Sequence, residues 1–435
     1  MFAAPLLFSA LLCAPADGLE NVPFVDAVAA DGDRWPRFRG PDGAGVATGV
    51  FPSRFTVDDF AWSAPLLGTG VSSPVVWGEA VFVTTADGPR RWLIRLNAES
   101  GAIVWTRQAT LNPDGPPADP ELHVKNDPAS ATPAVDATRV FTVFSDGERI
   151  AMNAFTHDGE PLWRADLGSF SGQHGHGSSP VRVDVPKEDL PRPDSVSELL
   201  VLTNDQDGDG GVLALDAATG ETVWTTPRDS REVAYSTPVV LRRPNEPLTL
   251  LTASGAAGLV ALDAATGAQR WRTGPLPSRV VASPALAGGR AWAQCGSGGA
   301  GKRLIGVNVA TGEVEIERTR SLPYVPTPVG ANGLLFLWGD RGVVTALNAQ
   351  TGEALWTERV GGNYSSSPIV VGDAVICVTE DGDVTALDAA ATFRLRGKST
   401  LGGACFATPA IAGQRAFFRM ADRLVCLPIE AAAGR

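Results

Sequence analysis

The stretch Ala214-Leu-Asp-Ala-Ala-Thr-Gly-Glu-Thr-Val-Trp224 returns almost unchanged as Ala261 to Trp271 (ALDAATGAQRW) and Ala346 to Trp356 (ALNAQTGEALW). Looser copies end at Trp105 (LNAESGAIVW) and Trp163 (FTHDGEPLW). In each copy an apolar strand ends at Asp or Asn, a Thr-Gly or Ser-Gly pair makes a tight turn, and a further strand returns with Trp on its buried side.

A second mark keeps step with the first. Ser-Pro or Thr-Pro falls at Ser73-Pro74, Thr132-Pro133, Ser179-Pro180, Thr237-Pro238, Ser283-Pro284, Thr327-Pro328, Ser367-Pro368 and Thr408-Pro409, with Thr226-Pro227 alone out of register. Successive prolines lie 59, 47, 58, 46, 44, 40 and 41 residues apart, a period that suits one four-stranded sheet per repeat and is far too long for a coiled coil. A lone sheet of that size cannot bury both faces, so neighbouring repeats must pack on it and the chain closes into a ring. The fold expected is all-β: an eight-bladed β-propeller of four-stranded antiparallel blades.

The last repeat runs out before its fourth strand. Trp62, in Asp58-Asp-Phe-Ala-Trp62, stands as far before Pro74 as Trp356 stands before Pro368. The amino-terminal strand is therefore expected to complete blade eight and remove the open edge. Ile316 and Gly397 take the Trp position in blades five and seven. The division expected is a signal peptide over 1–16, an irregular arm over 17–57, the propeller over 58–427 and a tail over 428–435. Arg37 and Arg39 of the arm are expected to pair with the acidic surface, the arm acting as a clasp.

Phe2 to Ala14 is an apolar run of signal-sequence length, too short to span a bilayer, and no later stretch is a transmembrane candidate. A periplasmic or otherwise extracytoplasmic location is expected. Net charge is −12 and no basic block is present, which argues against nucleic acid as a partner. Beyond the leader, Cys295, Cys377, Cys405 and Cys426 show no metal-type spacing, and their pairing is open.

In a four-stranded blade the segment leading into the first strand and the hairpin joining the second to the third share one face of the disc. The Thr-Gly turns occupy the other. All three tyrosines, Tyr235, Tyr324 and Tyr364, fall three or four residues ahead of a repeat proline, so one mouth should gather them. His123, Lys125 and Asn126 precede Pro133, His174 and His176 precede Pro180, and Arg279 precedes Pro284. With Asp205 of the blade-three hairpin, these are the candidate ligand-binding residues, since rim aromatics among polar loops describe a pocket. His157 lies in a turn of the opposite face. Asp205-Gln-Asp207-Gly-Asp209-Gly210 has the spacing that opens a calcium loop, but no helices flank it and the expected reading is a hairpin. No nucleophile elbow, zinc-protease or phosphate-loop motif occurs, and no catalytic or metal residue is assigned.

The Ala-Leu-Asp-Ala-Ala-Thr-Gly-x-x-x-Trp run resembles the repeat of pyrroloquinoline-quinone (PQQ) dehydrogenases and of the outer-membrane-protein assembly lipoprotein, over roughly residues 58 to 427. Trp35 to Gly45, with the His123 to Pro133 and His174 to Pro180 segments, looks like exported PQQ-like repeat proteins. The resemblance implies an eight-bladed propeller. Quinone enzymes carry adjacent cysteines over the cofactor, and no two cysteines here are neighbours. The function expected is that of a non-catalytic binding or scaffold protein for a protein, peptide or saccharide partner, as a monomer or part of an envelope complex, with no cofactor. The alternative is a PQQ- and calcium-dependent alcohol or sugar dehydrogenase.

Overall fold

The structure, a computed structural model, describes residues 32–112, 122, 126–172, 174–230 and 232–432. The leader expected over 1–16 lies outside them, as do His123 and Lys125. Eight antiparallel sheets form the ring. Blade one runs Val75–Trp77, Ala80–Asp87, Arg90–Asn97 and Ile103–Ala109, from the channel outwards, and the later blades repeat that order. Blade eight is built from Ala410–Ala412, Arg415–Arg419 and Arg423–Pro428, and its outer strand is Trp62–Pro65, with Trp62 opposite Cys426. Amino-terminal closure therefore holds.

Burial explains the composition of the strands. The second strand of each blade is covered on both faces by neighbouring blades, so Leu334–Trp338 and Ala374–Val378 are buried throughout and uniformly apolar. Outer strands face solvent, and Ala354–Arg359 is exposed except at Trp356, which is half-buried against the next blade.

The Trp residues are clasps between blades. Each indole Nε1–H donates across the junction to a backbone carbonyl in the next blade's outer turn: Trp62 to Ala98, Trp105 to His157, Trp163 to Ala217, Trp224 to Ala264, Trp271 to Val309 and Trp356 to Ala390, at 2.8–3.2 Å. The glycine of the Thr-Gly turn lies beneath the ring. At Gly267 φ is +71°, and a Cβ would stand 2.4 Å from the Trp224 ring. Thus the turn glycine and the Trp of the preceding repeat are one device. Blade seven lacks its Trp for a structural reason: blade eight joins its third and fourth strands from opposite ends of the chain, so no turn exists to receive a ring. The incoming arm fills the place, with Ser53 O against Gly397 and Phe55 N–H donating to Ser399 Oγ at 2.8 Å.

The arm does not lie over the surface. Arg34–Trp35 adds antiparallel to Val75–Trp77 and Val46–Ala47 adds parallel to Ile369–Val371, so the segment enters the channel and returns. Trp35, Ala47, Phe51 and Phe55 join the core cluster of blades one, seven and eight.

Gly267→Ala is expected to lower stability by about 2 kcal/mol or more, since it adds both a positive-φ penalty and a clash with Trp224. Gly274→Ala has a similar φ, +84°, but open space around it, and should cost about 1 kcal/mol. Thermal or denaturant unfolding of the two variants makes the comparison.

Candidate functional site

The hydroxyls of the repeat build the inner ring. Ser73 N–H donates to Thr132 Oγ1, Thr132 to Ser179, Ser179 to Thr237, Thr237 to Ser283, Ser283 to Thr327, Thr327 to Ser367 and Ser367 to Thr408, all at 2.9–3.1 Å. Proline follows each of these residues and has no N–H to offer, so the hydroxyl is the group that links neighbouring inner strands.

Just below the ring the arm is anchored by two arginines. Arg39 donates from Nη1 to Pro368 O at 2.8 Å and Thr327 O at 3.3 Å, and from Nη2 to Pro328 O at 2.9 Å. Arg37 reaches Pro238 O. The expected pairing of these arginines with the acidic surface is corrected: both are buried and their partners are carbonyls of the repeat prolines. Chain direction explains this, because strand pairing at Arg34–Trp35 carries the next residues into the channel.

Above the ring opens a cavity of about 810 Å³. All eight repeat hydroxyl residues line it, and Phe38 is the residue of the arm that reaches it. Its rim holds Asn126, His174, Tyr235, Arg279, Tyr324 and Tyr364, so six of the candidate residues come together. His174 meets the Tyr235 ring edge-on at 6.2 Å between centroids. Burial opposes the charge of Arg279, but Glu232 Oε1 lies 2.8 Å from its Nε and holds its pKa above the ordinary value. Burial pushes the phenols of Tyr235, Tyr324 and Tyr364 up, so all three stay protonated donors at neutral pH. The Tyr235 hydroxyl is buried without a hydrogen-bond partner. Tyr364 is the most enclosed, packed on Trp338 with its hydroxyl 3.5 Å from Thr385 Oγ1.

Two candidates are corrected. His176 is off the mouth: its ring turns into the wall between blades two and three, edge-on to Phe170 at 5.5 Å, and is 8% exposed. Asp205 turns into the blade instead of the cavity, where Arg228 Nη1 binds its Oδ2 at 3.0 Å. Burial raises the Asp205 pKa, and the charge of Arg228 offsets part of that rise. With Asp205 so held, the calcium-like spacing builds no cage, and among the described residues no group of three or more His, Cys, Asp or Glu could hold a metal ion. The four described cysteines are free and buried, and burial pushes the Cys377, Cys405 and Cys426 thiols up to about 12.

Residue-level reading missed Glu232, Asp340, Arg341, Glu380, Phe38 and Phe406, all of which line the cavity. Asp340 and Glu380 had a signal: they occupy the same place in the hairpins Gly-Asp340-Arg-Gly and Thr-Glu380-Asp-Gly, on the face already assigned to the mouth. Asp340 accepts the Tyr324 and Val325 N–H groups, and Glu380 accepts the Ser365 hydroxyl at 2.7 Å. Phe38 had no signal, because its position follows from the path of the arm.

Desolvation of the His176 ring lowers its pKa from 6.5 to about 4, with a backbone hydrogen bond at Thr203 offsetting part of the fall. The unfolded chain therefore binds a proton that the folded chain refuses. Stability associated with the neutral ring is fully present above pH 6.5 and is lost as pH falls towards 4, by up to about 3 kcal/mol. His176→Phe should flatten that part of the stability-pH curve, whereas His174→Ala should leave it unchanged. Urea unfolding at pH 7, 5.5 and 4.5 measures the difference.

The family model described as outer membrane protein assembly factor BamB, a PQQ-repeat model, matches residues 58–125, 123–241, 208–327 and 316–395. BamB of Shewanella oneidensis is 39% identical over 56 residues, 13% of this chain, and the matched stretch spans only 14% of that relative's length. Among solved structures, BamB from Moraxella catarrhalis shares the fold with a TM-score of 0.56 at 17% identity, covering 89% of this chain and 98% of that one. A quinohemoprotein alcohol dehydrogenase from Pseudomonas putida gives 0.61 at 14% identity, covering 93% and 83%. These likenesses agree with the ring of eight blades, and with matches along most of its length the chain belongs to the PQQ-repeat family typified by outer membrane protein assembly factor BamB.

Proposed function

We propose that this chain is an extracytoplasmic, non-catalytic propeller that binds a protein, peptide or saccharide partner at the mouth face, alone or within an envelope complex. The observation that supports this reading best is the cavity itself. Its wall is the hydroxyl-linked inner ring, a rigid frame, while its rim is made of loop residues that carry aromatic, acidic and basic groups together. Such a surface recognises shape and hydrogen bonding without needing a reacting group. The BamB members of the family fit a scaffold role of this kind.

The residues present do not fit the PQQ and calcium of the alternative reading. The described cysteines are unpaired, and the described carboxylates assemble no metal cage.

Immobilised protein should capture a partner from an extracytoplasmic fraction. The double variant Tyr235→Ala, Arg279→Ala should capture about tenfold less while its thermal midpoint stays within a few degrees, since both groups sit at a partly exposed rim. Incubation with PQQ and Ca²⁺ followed by gel filtration should leave no retained chromophore and no dye reduction with alcohols or aldoses. Stoichiometric retention of PQQ would overturn the reading.

A further inference from the structure

The mouth is electrically polarised along the channel axis. Beneath it, Arg37 and Arg39 are 3% and 1% exposed, and neither makes an ion pair among the described residues. The charge of Asp42 favours the Arg37 cation, but its carboxylate pairs with Arg242 at 3.1 Å. Their guanidinium groups end on carbonyl oxygens, which supply hydrogen bonds but no compensating charge. Desolvation lowers Arg37 to about 10 and Arg39 to about 9, and both remain cationic at neutral pH.

Directly above stand the ring hydroxyls. From Thr132 to Thr408 each oxygen already accepts a backbone N–H, so what it presents is its O–H. None of these O–H groups has an acceptor among the described residues. Convergent donors over buried cations that make no ion pair suit a ligand oxygen that carries negative charge. The rim above mixes both signs, with Glu232, Asp340 and Glu380 beside Arg279 and Arg341.

A second cavity of about 580 Å³ continues sideways from the first between blades three and four, and Glu232 lines both. Its wall mixes apolar residues such as Pro227, Val260 and Pro277 with the polar Arg228, Asp229 and Gln269. A small free anion would leave that cleft unused. An extended chain with an anionic end would fill both.

We propose that the mouth receives the carboxy-terminal end of a peptide, its α-carboxylate on the hydroxyl ring above Arg37 and Arg39 and its chain leaving past Glu232 into the cleft between blades three and four. This rests on the partner-binding reading above and names the occupant.

The test uses the full chain and an arrayed set of fluorescein-labelled hexapeptides, each made as the free acid and as the carboxy-terminal amide, with binding read by anisotropy. The best free acids should bind about tenfold or more tighter than their amides. Pro277→Arg, at an exposed position of the cleft wall far from the ring, should weaken the free acids without lowering the thermal midpoint by more than a few degrees. Citrate should displace the peptide only at much higher concentration, and neutral maltohexaose should not displace it. Equal binding of acid and amide, insensitivity to Pro277→Arg, or displacement by citrate or maltohexaose at the peptide's own concentration each overturns the proposal. If acid and amide bind alike while Tyr235→Ala, Arg279→Ala still abolishes partner capture, the peptide-end assignment falls and the partner-binding reading stands. If that double variant captures normally, both fall.

Discussion

The structure depends on a backbone N–H that crosses from one blade to the hydroxyl of the next. Where innermost strands begin, proline removes the donor that could pair within the blade, and the preceding N–H would be buried without a partner. A Ser or Thr of the neighbouring blade supplies the acceptor at seven successive junctions. An apolar side chain there would leave a buried donor unpaired, at a cost of about 1–3 kcal/mol. The bonds also bring all inner strands to one height. That common height lets Arg39 reach carbonyls of blades six and seven at once, and it makes the mouth round.

A second circuit runs on the opposite side of each blade, where Trp clasps the following turn. The two circuits act on different radii, so a blade is held to its neighbour at both its inner and outer ends. Their gaps are compensated by the arm. Where blade seven has Gly397, Ser53 and Phe55 supply the contacts. Phe51 and Phe55 also pack edge-on or tilted against Phe418 of blade eight, which ties the arm to the strand it helps to close.

Fold and face were legible because they are written as repeats. The Ser/Thr-Pro and Thr-Gly-x-x-x-Trp marks encode contacts made seven and six times, and Trp62 could be placed by spacing alone. The same logic assigned Tyr235, Tyr324 and Tyr364 to one mouth. It failed where a side chain chooses between cavity and wall. His174 and His176 are two residues apart and differ in which way they turn, and Asp205 is drawn inward by Arg228, a partner on another strand. Arg37, Phe38 and Arg39 were out of reach for a different reason. They belong to a segment without repeats, and only its pairing with Val75–Trp77 shows that it enters the channel.

Pairing Trp62–Pro65 with Arg423–Pro428 has a kinetic side. The outer strand of blade eight leaves the ribosome before the other blades, yet its partner leaves after them. Bringing ends so distant together carries a loop-closure entropy that no local contact offsets beforehand, so latching is a late event. Until then an unpaired strand edge stands exposed, and the half-made ring is open to joining another copy of itself. Threading the arm through the channel adds an order to these steps: Arg39 has carbonyls to grip only after blades six and seven have stacked, so the axle is seated after most of the wheel exists.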